Sequence, residues 1–181
     1  GVLKFIYIST AAVYGEHSLL PFTEKVLPNP LSPYATSKLL TELYLFDLSS
    51  KSEMDVVIIR PPLVYGNGAL GNFAKLLNII RLGFPLPFKN VDNLRSFISI
   101  QNLNKFIEHC IMHPSSSNEI FNISDGNDIS TVQFINMISK NLNKDIKYFY
   151  ISSFFLMLIF KSFGSLDMYN KLTQNFQLNI N

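Results

Sequence analysis

The sequence predicts an α/β fold with a largely parallel sheet. Three observations lead there. Strand-like and helix-like segments alternate along the chain, two of the strands are apolar at nearly every position, and prolines and glycines punctuate the segments. A strand that is apolar throughout is one covered on both faces, as in a parallel sheet flanked by helices.

The first such strand is "VLKFIYIS", residues 2–9. A strand of that kind does not belong at a sheet edge, which implies further structure over it and places this chain in the later part of a longer α/β domain. A long loop follows, broken by Gly15, Pro21, Pro28, Pro30 and Pro33. Pro33 is suited to a helix start, and "PYATSKLLTELYLFDLSS" continues with apolar residues at helical spacing. "MDVVIIRP" is the second buried strand, stopped by Pro61 and Pro62. After Gly66, Gly68 and Gly71, "NFAKLLNIIRLG" reads as a helix closed by Gly83. "FPLPFKNVDNLRSFISI" reads as short strands around a turn, "QNLNKFIEHCIMH" as a helix and "NEIFNIS" as a strand. "STVQFINMISKNL" is a helix with Ser130 as its cap.

Composition narrows the function classes. With 48% hydrophobic and 15% charged residues, the chain builds a sizeable core and is not disordered. A net charge of +2 without a basic cluster does not point to nucleic acid. The single cysteine, Cys110, excludes an internal disulfide and a thiolate zinc site, so the cytoplasm is the expected compartment. No signal peptide is evident at the start of the sequence. "YFYISSFFLMLIF", Tyr148 to Phe160, is shorter than the roughly 20 apolar residues a bilayer span needs, and reads as a buried or interfacial helix.

The segment "LSPYATSK" carries the first chemical signal. On a helix Tyr34 and Lys38 lie on one face, one turn apart. A lysine ammonium beside a phenol favours the phenolate, which suits a tyrosine to general acid–base work on a hydroxyl or carbonyl. Alone, the pair fits an ordinary helix surface better. A second signal stands at the end of the first strand, where Ser9 and Thr10 place hydroxyls beyond a carboxyl end, the usual ligand-binding position in such sheets. A third, "RPPLVYG", ends the second strand in a proline-stiffened segment.

In this order and spacing, "STAAVYG", "PYATSK", "RPPLVYG" and "RSFISIQNL" resemble the extended short-chain dehydrogenase/reductases, and among them the nucleotide-sugar epimerase/dehydratase group of UDP-galactose 4-epimerase type. The resemblance runs over nearly the whole chain. It implies a Rossmann-like parallel sheet, the C-terminal part of a doubly wound domain, with a smaller α/β substrate-binding region. Residues 1–66 would hold the later part of the NAD-binding domain and residues 67–181 mainly the substrate region, with 96–124 returning to the first.

The resemblance also assigns roles. Tyr34 matches the catalytic acid/base, Lys38 the residue that binds the nicotinamide ribose and tunes the tyrosine, and Thr10 the hydroxyl that holds the reacting sugar oxygen. Ser9, Pro61, Pro62 and Leu63 match the cofactor's surroundings. Asn72 and Phe73 match positions near the sugar diphosphate, Phe88 of "FPLPF" a ring-stacking position for uracil, and Arg95 the clamp on the diphosphate, suited to its forked donors. Arg95 taken alone also fits a solvated charge, and Phe73 and Phe88 also fit plain core positions.

The implied activity is NAD-dependent 4-epimerisation of a UDP-hexose or UDP-N-acetylhexosamine through a 4-keto sugar, with NADP as the alternative cofactor. A 4-keto reductase is the second reading, and a catalytically incomplete, sugar-nucleotide-binding remnant the third. Dehydratases of this group carry an acid and a base directly after the threonine, where this chain has Ala11 and Ala12. Family members often dimerise through two helices, one of them the helix of Tyr34.

Two other patterns carry less. "GNGALG", Gly66 to Gly71, fits G-x-G-x-x-G, but five residues separate it from the preceding strand and no strand-ending acid follows about 20 residues on. It reads as a substrate-side loop. His109 and His113 have metal-ligand spacing on a helix but no convergent third ligand, and read as a helix surface.

Overall fold

A computed structural model of the chain describes residues 2–69 and 71–180. Leu70, within the Gly66–Gly71 run, lies outside the described residues, as do Gly1 and Asn181. In chain order the elements are β1 (Lys4–Ile8), α1 (Pro33–Ser50), β2 (Asp55–Arg60), β3 (Leu63–Tyr65), α2 (Asn72–Leu82), β4 (Phe97–Ser99), α3 (Ile100–Met112), β5 (Ile120–Asn122), α4 (Thr131–Asn141), α5 (Ser153–Ser162) and α6 (Leu166–Thr173). Short 3-10 turns cover Ala11–Tyr14 and Pro114–Ser116.

Both sheets are parallel. One has the order β1-β2-β5, and β3 pairs with β4. β2 is the spine, buried from Val56 to Arg60. Successive side chains of a strand point to opposite faces, and β2 uses both. Val56 and Ile58 pack with Leu45 of α1, while Val57 and Ile59 pack with Leu103 and Cys110 of α3. This two-sided burial is why "VVII" reads as an unbroken apolar run. Each such side chain contributes about 1.5–3 kcal/mol when fully buried.

The helix ends follow their sequence signals. Ser32 accepts from the Ala35 amide ahead of Pro33, and Ser130 with Gln133 forms a reciprocal capping box on α4. Gly83 ends α2 in the left-handed conformation, φ 70°. Lys4 donates from Nζ to the carbonyls of Cys110 and His113, which ties β1 to the end of α3 where a cation is favoured. The rings of His109 and His113 stack with centroids 3.9 Å apart.

A second core gathers Ile80 of α2, Leu86, Phe88, Ile135 of α4, Leu156 of α5 and Tyr169 of α6. The C-terminal stretch crosses back over the 3-10 turn at Ala11–Tyr14, where Phe176 and Leu178 pack with Phe22, Val13 and Tyr14. Tyr14 and Phe22 stack at 5.1 Å, and Phe22 meets Phe176 at 5.5 Å.

Three expectations change. The first strand is shorter than residues 2–9; among the described residues its one sheet neighbour is β2, and Phe5 is 41% exposed. The segment 84–100 contains one three-residue strand; Leu86 and Arg95 make only isolated bridges. The apolar run 148–160 supplies only part of α5, which has one buried residue, Leu156.

Gly66 follows β3 at φ +127°, and a Cβ there would lie 2.8 Å from Cγ2 of the stiff, β-branched Ile100. Gly68, at φ +80°, has nothing within 4 Å of that position. Gly66→Ala is expected to lower stability by about 1–3 kcal/mol, and Gly68→Ala by less, read from urea midpoints. Equal losses would contradict the close approach to Ile100.

Candidate active site

The two-sided burial of β2 brings its carboxyl end beside that of β1. The Ser9 amide donates to the Ile59 carbonyl at 2.8 Å, and the Ala11 amide to the Pro61 carbonyl at 2.9 Å. "ISTA" and "IRPP" are thus laced together just beyond the strands. α1 is joined to the same place by Lys38, whose Nζ donates to the Ile8 carbonyl at 2.8 Å. Nζ lies 4.7 Å from the centre of the Tyr7 ring and 5.9 Å from that of Tyr34.

Ser9, Thr10, Tyr34, Lys38 and Pro61 therefore come together around one sheet end. Thr10 caps the 3-10 turn by accepting from the Ala12 amide at 3.2 Å, which leaves its hydroxyl hydrogen free to donate. Ser9 Oγ is the buried side-chain polar atom without a hydrogen-bond partner among the described residues. Such an atom loses solvation with nothing in return unless a ligand meets it. Tyr34, in the first turn of α1, is 59% exposed. Lys38 uses one of its three donors on Ile8.

The other expected residues lie apart. Leu63 opens β3 and packs near Phe73, Phe97 and Phe134; Pro62 is half-buried. Asn72 is exposed at the start of α2, whose N-cap Gly71 provides no side-chain cap. Phe73 and Phe88 are both buried, in separate core clusters. Their rings are packed by neighbouring apolar side chains, the geometry of core residues.

Arg95 is held differently. Its Nη1 donates to the Gln174 carbonyl at 2.8 Å, and its guanidinium lies 5.2 Å from the Phe176 ring centre. Among the described residues no carboxylate pairs with it. Burial pulls its pKa down to about 10. Through Phe176, Phe22 and Tyr14, a run of contacting rings links this cation to the turn that carries Thr10.

One group of residues escaped the sequence reading. Glu42, two turns after Tyr34, is buried against Arg60, the charged end of an otherwise apolar strand. Arg60 donates from Nε to Glu42 Oε1 at 3.1 Å, from Nη2 to Oε2, and from Nη1 to the Tyr14 hydroxyl at 2.8 Å. Tyr14 in turn donates to Asn122 Oδ1 at 3.0 Å. Burial works against the arginine's charge, but the bonds to Glu42 and Tyr14 outweigh it and raise its pKa. Burial dominates at Tyr14 and raises its pKa, keeping the phenol protonated. The available signal was an arginine ending "VVIIR", since a charge on a fully buried strand requires a partner.

Comparison with known proteins gives the family. The profile of the NAD dependent epimerase/dehydratase family matches residues 1–124, and the chain belongs to that family. A UDP-glucose 4-epimerase from Vibrio cholerae is 39% identical over 183 residues, covering 99% of this chain and 56% of that protein. The crystal structure of a UDP-glucuronic acid 4-epimerase from Bacillus cereus in complex with NAD superimposes with a TM-score of 0.75 at 24% identity, over 98% of this chain and 52% of the other. A UDP-N-acetylglucosamine 4-epimerase from Methanobrevibacter ruminantium M1, in complex with UDP-N-acetylmuramic acid, gives 0.72 at 22% identity, over 98% and 54%. At these identities the structural likeness is one of fold. The chain spans about half the length of these relatives.

Removing one member of the buried pair, as in Glu42→Ala or Arg60→Met, is expected to cost about 3–5 kcal/mol, because the other charge is left unpaired. The double variant Glu42→Leu with Arg60→Met should lose clearly less than the sum. Additive losses in urea unfolding would show that the two residues act independently.

Tyr65 offers a pH test. Its hydroxyl donates to Asp125 Oδ2 at 2.7 Å, and burial together with the Asp125 carboxylate pushes its pKa up from 10.0 to about 12. The folded state favours the protonated phenol, so this contribution is complete below pH 10 and disappears as the pH rises through about 12. Tyr65→Phe should flatten the loss of stability across that window, measured by denaturation at stepped alkaline pH. An unchanged slope would contradict the assignment.

Proposed function

We propose that the protein is a NAD-dependent nucleotide-sugar 4-epimerase, acting on a UDP-hexose or UDP-N-acetylhexosamine through a 4-keto sugar. The observation that carries this reading is the meeting of Ser9, Thr10, Tyr34 and Lys38 beyond the carboxyl end of β1. The partnerless Ser9 hydroxyl and the spare donors of Lys38 suit the hydroxyl- and amide-rich nicotinamide nucleoside, with Pro61 and Leu63 alongside. NAD, when bound, supplies the acceptor for the C4 hydride and its return.

Every other step falls to this chain. Tyr34 takes the proton of the C4 hydroxyl and later gives it back, as a general base and then acid. Thr10 donates its free hydroxyl hydrogen to the same oxygen and holds it in place. Lys38, fixed between the β1 carbonyl and the two tyrosine rings, positions the phenol side of the site. Arg95, with no carboxylate partner among the described residues, would meet the diphosphate, and Asn72 stands at the uncapped start of α2. The rings of Phe73 and Phe88 belong to the core. Ala11 is fully buried and neither it nor Ala12 transfers a proton, which supports epimerisation over 4,6-dehydration. A homodimer would use α1, whose outer face presents Leu40, Leu43 and Tyr44.

In the protein as encoded, UDP-glucose or UDP-N-acetylglucosamine should yield its C4 epimer with no net use of added NADH. Tyr34→Phe should lower kcat by about 10²–10⁴-fold, whereas Arg95→Leu should act mainly on KM. Inertness towards these sugars, with one reduced cofactor consumed per molecule of a supplied 4-keto sugar nucleotide, would establish the reductase instead. Sugar-nucleotide binding without turnover would establish the silent remnant.

A further inference from the structure

Helix α5 is apolar on every side, and a helix of that kind is normally buried all round. Here it is covered on one side only. Leu156 is buried, and Met157 and Phe160 are packed against the second core. Phe154, Phe155, Leu158 and Ile159 are all exposed. Their spacing sets them in one stripe along roughly 8 Å of helix. Phe163, 80% exposed, extends the stripe beyond the helix end, and exposed Tyr150 stands before its start.

Charge supplies the second observation. Residues 140–171 contain five lysines and two aspartates, so the whole positive excess of a chain of net charge +2 is concentrated around this helix. One of the two aspartates, Asp167, is bound to Lys171. Lys144 and Lys147 lie in the link that leads to α5, and Lys161 falls one turn from Leu158 and two from Phe154, at the border of the stripe. All three are exposed, and none forms an ion pair among the described residues.

We propose that this face docks on the surface of an anionic lipid bilayer, with α5 lying in the interfacial plane. The exposed aromatic and aliphatic side chains enter the headgroup boundary, and the lysines meet lipid phosphates. Crossing the bilayer is outside its reach, since no described helix is long and apolar enough. A second copy of the chain fits the face less well. A two-fold contact across α5 would set the same lysines against one another, a repulsion that an anionic surface turns into attraction. The inference stands on this surface alone and does not depend on the activity proposed above.

The test is co-sedimentation of the whole chain with vesicles of equal parts phosphatidylcholine and phosphatidylglycerol, beside vesicles of phosphatidylcholine only. Binding should be at least about tenfold tighter to the anionic vesicles and should weaken with added salt. Phe155→Ser with Leu158→Ser should reduce it by about tenfold or more. Both positions are exposed, so the thermal midpoint should hold. Lys144→Gln with Lys161→Gln leaves the apolar stripe intact and should remove most of the preference for anionic vesicles. Absence of vesicle binding, or equal binding by the double-serine variant, would overturn the proposal. Conversion of a dimer to a monomer by that variant, without vesicle binding, would assign the face to a second copy instead.

Discussion

The Glu42–Arg60 ion pair is the constraint on which the site depends. Both side chains are almost wholly buried, 2% and 3% exposed, and each belongs to a different layer. Glu42 rides on the helix of Tyr34 and Lys38, and Arg60 ends the central strand. Tyr14 adds the turn after Thr10, and Asn122 adds β5. Four separate segments are thus locked by one chain of hydrogen bonds. Such a network contributes less to net stability than to fixing which surfaces meet. A sliding α1 would leave a carboxylate and a guanidinium stranded in the core, so the helix has one permitted seat. The placement of Lys38 against the β1 carbonyl follows from it.

The buried Arg60 and the half-buried Arg95 are opposites. Arg60 is saturated: every nitrogen has a partner, and its charge is neutralised inside the protein. Arg95 rests on a carbonyl and a ring, neither of which cancels its charge. The first suits a structural pin, the second a site for an anion brought from outside. Residue type and sequence neighbours do not separate these roles, because both arginines border apolar strand segments. Only the long-range partners do.

This difference also marks what was legible in the sequence. Local patterns carried well. The proline at the start of α1, the Ser130 cap of α4 and the closing Gly83 of α2 each act within four residues, and each formed as read. The apolar run of β2 announced its two-sided burial. The gathering of Thr10, Tyr34 and Lys38 was readable because helix periodicity and strand ends are regular. Glu42, Tyr14 and Asn122 were not readable as a group, since 18 to 108 positions separate the bonded members. Phe73 and Phe88 show the converse: an aromatic at a suggestive position is still mostly a volume to be packed. The strands expected in 84–100 shrank because Pro85 and Pro87 lack donors and only isolated bridges formed there.

The parallel sheet has a further consequence, for the order of folding. Lys4 pairs with Asp55, and Ile58 with Ile120, so each rung of the ladder closes a loop of about fifty to sixty residues before any contact rewards it. No hairpin is available as a local nucleus in this sheet. The helices form early and the strands wait. During that interval β1 is an apolar strand not yet paired with β2, a template on which another unfinished chain can align. The yield of native protein should therefore depend on how crowded the refolding chains are, and Lys4, the one charge on that strand, is the residue that most impedes a wrong partner there.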